Sequence, residues 1–412
     1  MKKNDTPAIL GGIKVLDITR VVAGPWCTQS LAEMGAIVYK VEQPGIGDDL
    51  RHVAPALPFP DGTPSTDSTS YASVNRGKRS ITVDFSRPAG QDIIRKLAAN
   101  CDVFVENYKG GNMARHGLDY ASIRAINPGI VYCSITGYGQ DGPLGSLPGY
   151  DPVFQAISGI MSTCGLPDGT PGAGPMRATI PFIDIMTGMT ATTAIVAALY
   201  HQRATGEGQF LDIALLDVAL AAAAAPYGQT YLSAGVLPKR IGNGSALFAP
   251  SGTFSCANGG HILIQIGKDS QWKRFCEQLG RRDWLADPRF ATNEARLANL
   301  EAVHRLVESM TSLREAHELA AELGAVDVPC GPVNTFAEAF ENPQVKHRGI
   351  RTEVIHPLHG RMAHVRSPLR FSATPVKSGP IPSLGADTAD VLLHELGLDA
   401  AVVASMRAEK VI

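Results

Sequence analysis

The sequence predicts an α/β fold, a doubly wound parallel sheet followed by a smaller, loop-rich α+β region. Three observations carry this expectation. Short apolar runs alternate with helical patterns through the first half of the chain, the order that builds a parallel sheet with right-handed crossovers. Pro88 stands where a first-turn proline opens a helix between two such runs. After Ala225 the composition shifts: Pro238, Gly242, Gly244, Pro250 and Gly252 mark a loop-rich passage into a second region.

The elements follow in order. Ile13 to Ile18 reads as a buried strand, Trp26 to Met34 as a helix, and Ile37 to Val41 as the next strand. Pro55 to Thr69, rich in Pro, Ser, Thr and Asp, reads as a loop. A strand at Ser80 to Asp84 precedes the helix Pro88 to Ala99, and further strands follow at Asp102 to Val105 and Ile130 to Ile135. A long helical pattern runs from Phe182 to Gln202 and breaks at Gly206 to Gly208; Ala219 to Ala225 suits a closely packed helix. Thr253 to Ser255 and Ile262 to Ile266 flank Asn258-Gly259-Gly260, a hairpin signal. Helical patterns continue to about Gly324, and the tail from Gly331 holds short strands and turns. No internal repeat or low-complexity tail is visible.

Composition excludes several function classes. With 412 residues the chain has room for two or three domains and a sizeable core. The formal charge of −2, from 37 Lys+Arg against 39 Asp+Glu, argues against a nucleic-acid partner held on a basic surface. Seven scattered cysteines form no CxxC and no zinc spacing, so they read as buried free thiols in a reducing cytoplasm, with no metal. Lys2 and Lys3 are followed by polar Asn4 to Pro7, which is not a secretory signal. The most apolar stretch, Ala191 to Tyr200, falls short of the ~20 residues of a membrane span.

Ligands of a parallel sheet gather at the carboxyl ends of its strands. The loop Thr19 to Pro25 after the first strand lacks GxGxxG, and Gly45-Ile46-Gly47 is a turn, so Glu42 at the second strand's end does not signal a nicotinamide cofactor. Asn75 to Arg79 concentrates three positive charges, read either as a solvated turn or as a phosphate contact. Glu106-Asn107-Tyr108 and the glycine-rich Thr136 to Pro143 follow other strands. Asp151 is a natural N-cap for the helix it precedes. Asp184 lies in the apolar Pro181 to Gly188, where it either caps the long helix or, partly desolvated, serves as a nucleophile or acid/base group. His201 and His304 sit in helical patterns and read as structural or exposed.

Taken together, VLDITRVVAGP (15–25), NRGKRSITVDF (75–85), DVFVENY (102–108), SITGYGQDGP (134–143), GYD (149–151), GNGSALFAPSGTF (242–254) and DPRFATNEAR (287–296) resemble the family III CoA-transferases over essentially the whole chain. SITGYGQ and DVFVENY are similar to the succinyl-CoA-dependent dicarboxylate branch, of the glutarate type. The resemblance implies a large Rossmann-like domain built from both chain ends, residues 1–224 and 331–412, with a smaller central α+β domain, 225–330, in an interlocked homodimer. It implies a cytoplasmic enzyme that moves coenzyme A from an acyl-CoA donor to a free carboxylic acid without metal, nucleic acid or membrane. Asp184 is then the nucleophile, passing through an aspartyl anhydride and an aspartyl-CoA thioester.

The same resemblance implies a coenzyme A site at Val22, Ala23, Val83, Asp84, Phe85, Ser86, Asn107, Tyr108, Lys109, Arg115, Pro148, Gly149, Tyr150 and Asp151. Gln43 stands where the family has an arginine after the second-strand glutamate, and Gly242, Asn243, Gly244 and Ser245 correspond to a glycine-rich loop over the substrate, here with fewer consecutive glycines. A dicarboxylate acceptor needs a cation for its far carboxylate; Arg20 and Arg177 are the candidates. The rival within this fold, α-methylacyl-CoA racemase, pairs its aspartate with a histidine. Here that position is Tyr150, a poor base at neutral pH.

Overall fold

The computed structural model describes residues 8–53 and 55–412, except for the side chains of residues 225 and 226. The polar opening Lys2 to Pro7 lies outside the described residues. The chain forms two compact units, one of Met1–Ile160, Ala178–Ala234 and Lys346–Ile412, the other of Met161–Arg177 and Gly235–Val345. The breaks thus fall later than the expected 224/225 and 330/331, and the excursion of Met161–Arg177 into the second unit was not expected.

The first unit opens with β1 (Lys14–Asp17), α1 (Ala23–Glu33) and β2 (Ile37–Glu42). The segment expected as loop instead holds a short antiparallel pair, β3 (Ala56–Pro58) and β4 (Pro64–Ser68), before α2 (Thr69–Val74). Three-residue Ala56-Leu57-Pro58 is too short to show an alternation, and Pro64 to Ser68 is polar after its proline, so neither strand betrays itself in the sequence. There follow β5 (Arg79–Thr82), α3 (Pro88–Ala98), β6 (Val103–Glu106), α4 (Tyr120–Ile126), β7 (Val131–Thr136), α5 (Asp151–Ile157), a short turn α6 (Ile160–Thr163) where the chain passes to the second unit, and, back in the first, the long α7 (Phe182–Thr205). A strand that the sequence reading missed, β8 (Phe210–Ala214), then leads into α8 (Leu215–Ala223) and α9 (Gln229–Ala234).

The sheet runs β5-β2-β1-β6-β7-β8 with every pairing parallel. The chain therefore winds outward one way from β1 and the other way from β6, which puts the topological switch between these two strands. Successive residues alternate between the two covered faces. Val15, Val103 and Val105 pack with α1, α7 and α8, whereas Leu16, Phe104 and Tyr132 pack with α3 and the C-terminal Val391 and Leu392.

At 24 residues, α7 is long and apolar enough to cross a membrane by length and composition. The expectation drawn from Ala191 to Tyr200 alone is corrected, since Phe182 to Thr190 extends the apolar run. In this fold one side of α7 packs on α1, where Gly188 allows close approach: a Cβ there would stand 2.6 Å from the Ala23 carbonyl oxygen.

The second unit carries β9 (Ser251–Ser255), β10 (His261–Gln265) and β11 (Cys330–Pro332) as an antiparallel sheet of order β11-β10-β9. Thr253 to Ser255 and Ile262 to Gln265 pair as the hairpin signal predicts. Its helices are α10 (Asp269–Gln278), α11 (Arg282–Ala286), α12 (Asn293–Ala298), α13 (Leu300–Thr311) and α14 (Ala316–Ala325), gathered on Trp272, Phe275, Trp284 and Phe290. The chain returns to the first unit through the hairpin β12 (Arg351–His356) and β13 (Gly360–Val365).

Candidate active site

Four loops leave the carboxyl edge of the sheet. Val22 and Ala23 follow β1, Val83 to Ser86 follow β5, Asn107 to Lys109 follow β6, and Pro148 to Asp151 lie in the connection after β7. The first and third flank the switch between β1 and β6. Asn107 bridges them: its Oδ1 accepts the Arg20 N–H at 2.9 Å and its Nδ2 donates to the Arg20 carbonyl at 2.7 Å.

The first loop is held in a costly shape. Val21 has φ 68°, a region that β-branched residues avoid. Asp48 Oδ1 accepts its N–H at 3.1 Å. Below it, Asp17 at the end of β1 accepts from the Thr19 N–H, the Thr19 and Thr28 hydroxyls and Lys78 Nζ. Burial works to raise the Asp17 carboxyl, but Lys78 and Lys40 beside it hold it down at about 2.

These contacts correct both readings of the basic turn. Arg76 pairs with Glu33, Lys78 with Asp17, and Arg79 with Asp387 and Asp390. Arg76 and Lys78 are buried, so the turn is neither solvated nor a ready phosphate contact: its charges tie it to α1, to the end of β1 and to Asp387 and Asp390 near the C-terminus. Glu42 likewise is buried against Arg51.

The remaining implied contacts vary in exposure. Ala23 and Val83 are buried, Val22, Asp84, Phe85, Asn107, Tyr108 and Gly149 are half-buried, and Ser86, Lys109, Arg115, Pro148 and Tyr150 are exposed. Phe85 sets its edge against Tyr108, with centroids 5.6 Å apart. Gly149 lies flush on buried Phe154, where a Cβ would come within 2.2 Å of the ring. Arg20 lies over the Tyr108 ring at 5.2 Å and pairs with Asp49 at 3.3 Å, both partners being about half exposed. Arg177 is exposed in the second unit, which also holds Gly242 to Ser245 as a turn closed by Gly244 N–H to the Ile241 carbonyl.

Asp184 is the third residue of α7, and it does not cap that helix. The N-cap is Pro181, which has no side-chain oxygen to cap with and no N–H for a capping-box acid to grip. Burial pushes the Asp184 carboxyl up to about 7, with the charge of Asp151 adding to it. Among the described residues no side chain donates to it or pairs with it. Gly188, one turn further along, packs closely on Ala23 and Trp26 of α1, so the helix that carries Asp184 lies against the helix that follows the first loop.

Asp151 also departs from its expected role. Tyr150, not Asp151, is the N-cap of α5. Asp151 is buried, and its Oδ2 instead accepts from the N–H groups of Ile183 at 2.7 Å and Asp184 at 3.1 Å, in the first turn of α7. Gln155, one turn along α5, donates to Asp151 Oδ1 and accepts the Ala178 N–H at 2.9 Å. Sequence reasoning missed Gln155 and Pro181; the i, i+4 spacing of Asp151 and Gln155 and the Pro-x-x-Asp pattern were the available signals.

Other titratable groups stand apart. Glu106, at the end of β6, is pushed up to about 7 by burial, and its Oε2 accepts the Tyr108 N–H at 2.8 Å. All seven cysteines are free; Cys164 is exposed and Cys330 half-buried, against the expectation that all are buried. Among the described residues no group of three His, Cys, Asp or Glu is placed to hold a metal.

Three comparisons bear on this site. The family model "CoA-transferase family III" matches residues 10–388. A succinate–glutarate CoA-transferase of Agrobacterium fabrum is 40% identical over 384 residues, covering 93% of this chain and 94% of that protein. The human succinyl-CoA:glutarate CoA-transferase is 38% identical over 395 residues, covering 95% of this chain and 86% of that protein. Among solved structures, a CAIB/BAIF family protein from Brucella suis superposes with a TM-score of 0.85 at 38% identity, covering 96% of this chain and all of that one.

Proposed function

Since the chain belongs to CoA-transferase family III, we propose that it carries coenzyme A from succinyl-CoA to a dicarboxylate, glutarate foremost, through covalent intermediates on Asp184. The observation that carries the reading is the Asp184 carboxylate: partly desolvated, unpaired among the described residues, and on the helix that packs against α1, which follows the loop at the sheet's switch point. A carboxylate in that setting is a stronger base, and hence a stronger nucleophile, than a solvated one.

An Asp184 oxygen attacks the donor thioester carbonyl, and CoA thiolate leaves to give an acyl-aspartyl anhydride. The thiolate then attacks the aspartyl carbonyl, releasing succinate and forming aspartyl-CoA thioester. The acceptor carboxylate attacks that thioester and again expels thiolate, which takes the acceptor's acyl carbon and frees Asp184. Each step passes through an oxyanion that nearby N–H donors would stabilise. The loops at Val22–Ala23, 83–86, 107–109 and 148–150 hold the CoA, and the half-exposed Arg20 meets the acceptor's far carboxylate.

Glutarate and succinyl-CoA come from the names of the two relatives reported above. Seven unpaired cysteines support a cytoplasmic site of action. The test is mass spectrometry of the products from succinyl-CoA and a panel of dicarboxylates. Glutarate labelled with ¹⁸O in its carboxyls should yield glutaryl-CoA, leave one label on Asp184, and pass it to succinate in a later turnover. Glutaryl-CoA formed by an Asp184→Ala variant at more than a trace would overturn the assignment.

A further inference from the structure

We propose that Asp151, with Gln155, is a positioning residue for Asp184: it caps the helix of the nucleophile from outside, so that the Asp184 carboxylate is left free to attack. The proposal rests on the transferase reading above and names a residue that the reaction steps themselves do not use.

An α-helix begins with N–H groups that have no partner in the helix. In α7 the N-cap cannot supply one, because Pro181 has no polar side chain. An acid in the first turn would ordinarily answer that need, drawn to the unpaired amides and stabilised by the positive end of the helix. Asp184 stands at this place, and a carboxylate so engaged would be a poor nucleophile. Asp151 removes the competition by accepting from both Ile183 and Asp184 with one oxygen. Gln155 holds its other oxygen and ties down Ala178, so α5 grips the chain leading into α7 at two points.

The second consequence is electrostatic. The charge of Asp151 lies over the positive end of α7 and against Asp184, and adds to burial in keeping that carboxyl basic. Among the described residues Asp151 is the one whose charge bears on Asp184. The α1 turn packed on the same part of α7 presents Ala23 and Trp26, neither of them charged.

The experiment reads Asp184 directly. A water-soluble diazo reagent esterifies protonated carboxyl groups, and peptide mass spectrometry follows the labelling of Asp184 against pH. In the unaltered protein labelling should fall by half near pH 7. Asp151→Asn keeps an oxygen for the two N–H groups and loses the charge, so the midpoint should drop by about one pH unit, and the acid limb of kcat/KM should drop with it. Gln155→Met keeps the charge and loses the tether, and should lower kcat several-fold at little cost in KM for the acyl-CoA. An unmoved labelling midpoint in Asp151→Asn overturns the proposal, as does a rise in KM alone, which would make Asp151 a CoA contact. A shifted midpoint in a protein that forms no acyl-CoA from any acid would sink the transferase reading and leave the positioning role standing.

Discussion

At the scale of single residues, chemistry here depends on which carboxylates are paired. Asp17 is held ionised by two lysines, whereas the buried Glu106 and the half-buried Asp184 have no cation beside them and are drawn up to about 7 by desolvation. In the proposed mechanism the reactive form of Asp184 is the anion, so kcat/KM should fall tenfold per pH unit below about 7, well above the range of an ordinary aspartate. A stopped assay across pH 5 to 8 checks this, and a flat profile down to pH 5 would show that the carboxylate is not the group that limits the rate. For Glu106 the consequence is stability. An unfolded glutamate ionises from about 4.5 while the folded one keeps its proton to about 7, so its contribution is full below 4.5 and lost as pH rises through 7. Glu106→Gln should therefore gain on the order of 1–3 kcal/mol over the parent at pH 8 and little at pH 4.5, read as the difference between urea midpoints. An acid in an apolar run made Asp184 conspicuous in the sequence, but cap and nucleophile stayed open until the family resemblance chose between them. Sequence reading misplaced Asp151 because a cap reaching across to another helix leaves no local pattern, and it left Arg76 and Lys78 open because their acids lie far away in sequence.

At the scale of elements, the strands of the sheet were legible where they are continuous apolar runs covered on both faces. Strand β8 was missed because Phe210-Leu211-Asp212-Ile213-Ala214 lies at the sheet's edge and interrupts its run with Asp212, whose Oδ2 accepts the Gln140 N–H at 3.1 Å. That bond ties the glycine-rich loop after β7 to the edge strand, so the SITGYGQ motif was visible while its anchor was not. The glycines of the motifs serve contact between elements more than flexibility. At Gly188 an added methyl would meet the Ala23 carbonyl oxygen at 2.6 Å and Trp26 at 3.0 Å, and neither backbone nor indole can yield without moving α1. Gly188→Ala should cost about 1–3 kcal/mol in urea unfolding and lower kcat at least several-fold, since α7 carries Asp184. Full activity with unchanged stability would mean that the two helices are not in tight contact.

At the scale of the whole molecule, the first unit draws on both halves of the chain, an arrangement that local patterns cannot express. That unit also leaves large apolar side chains exposed on α7, α8 and α9: Tyr200 is 81% and Leu232 76% exposed, and Met189 and Leu220 stay half open. The hydroxyls on the same helix are already satisfied: Thr190 donates to the Met186 carbonyl at 2.9 Å and Thr193 to the Met189 carbonyl at 3.0 Å. With their donors satisfied, these hydroxyls cost less to bury than free ones would, which suits an apolar partner. We read that partner as a second copy of the chain, in the interlocked homodimer that the family resemblance implies. Sedimentation velocity should then give the mass of two chains down to low micromolar concentration. Met189→Glu with Leu220→Glu should yield single chains or aggregates, because charges on a surface that closes against another copy carry an unpaired burial cost of several kcal/mol. A wild-type protein that sediments as one chain would return those helices to another partner, and the length and apolarity of α7 would make lipid vesicles the next surface to try.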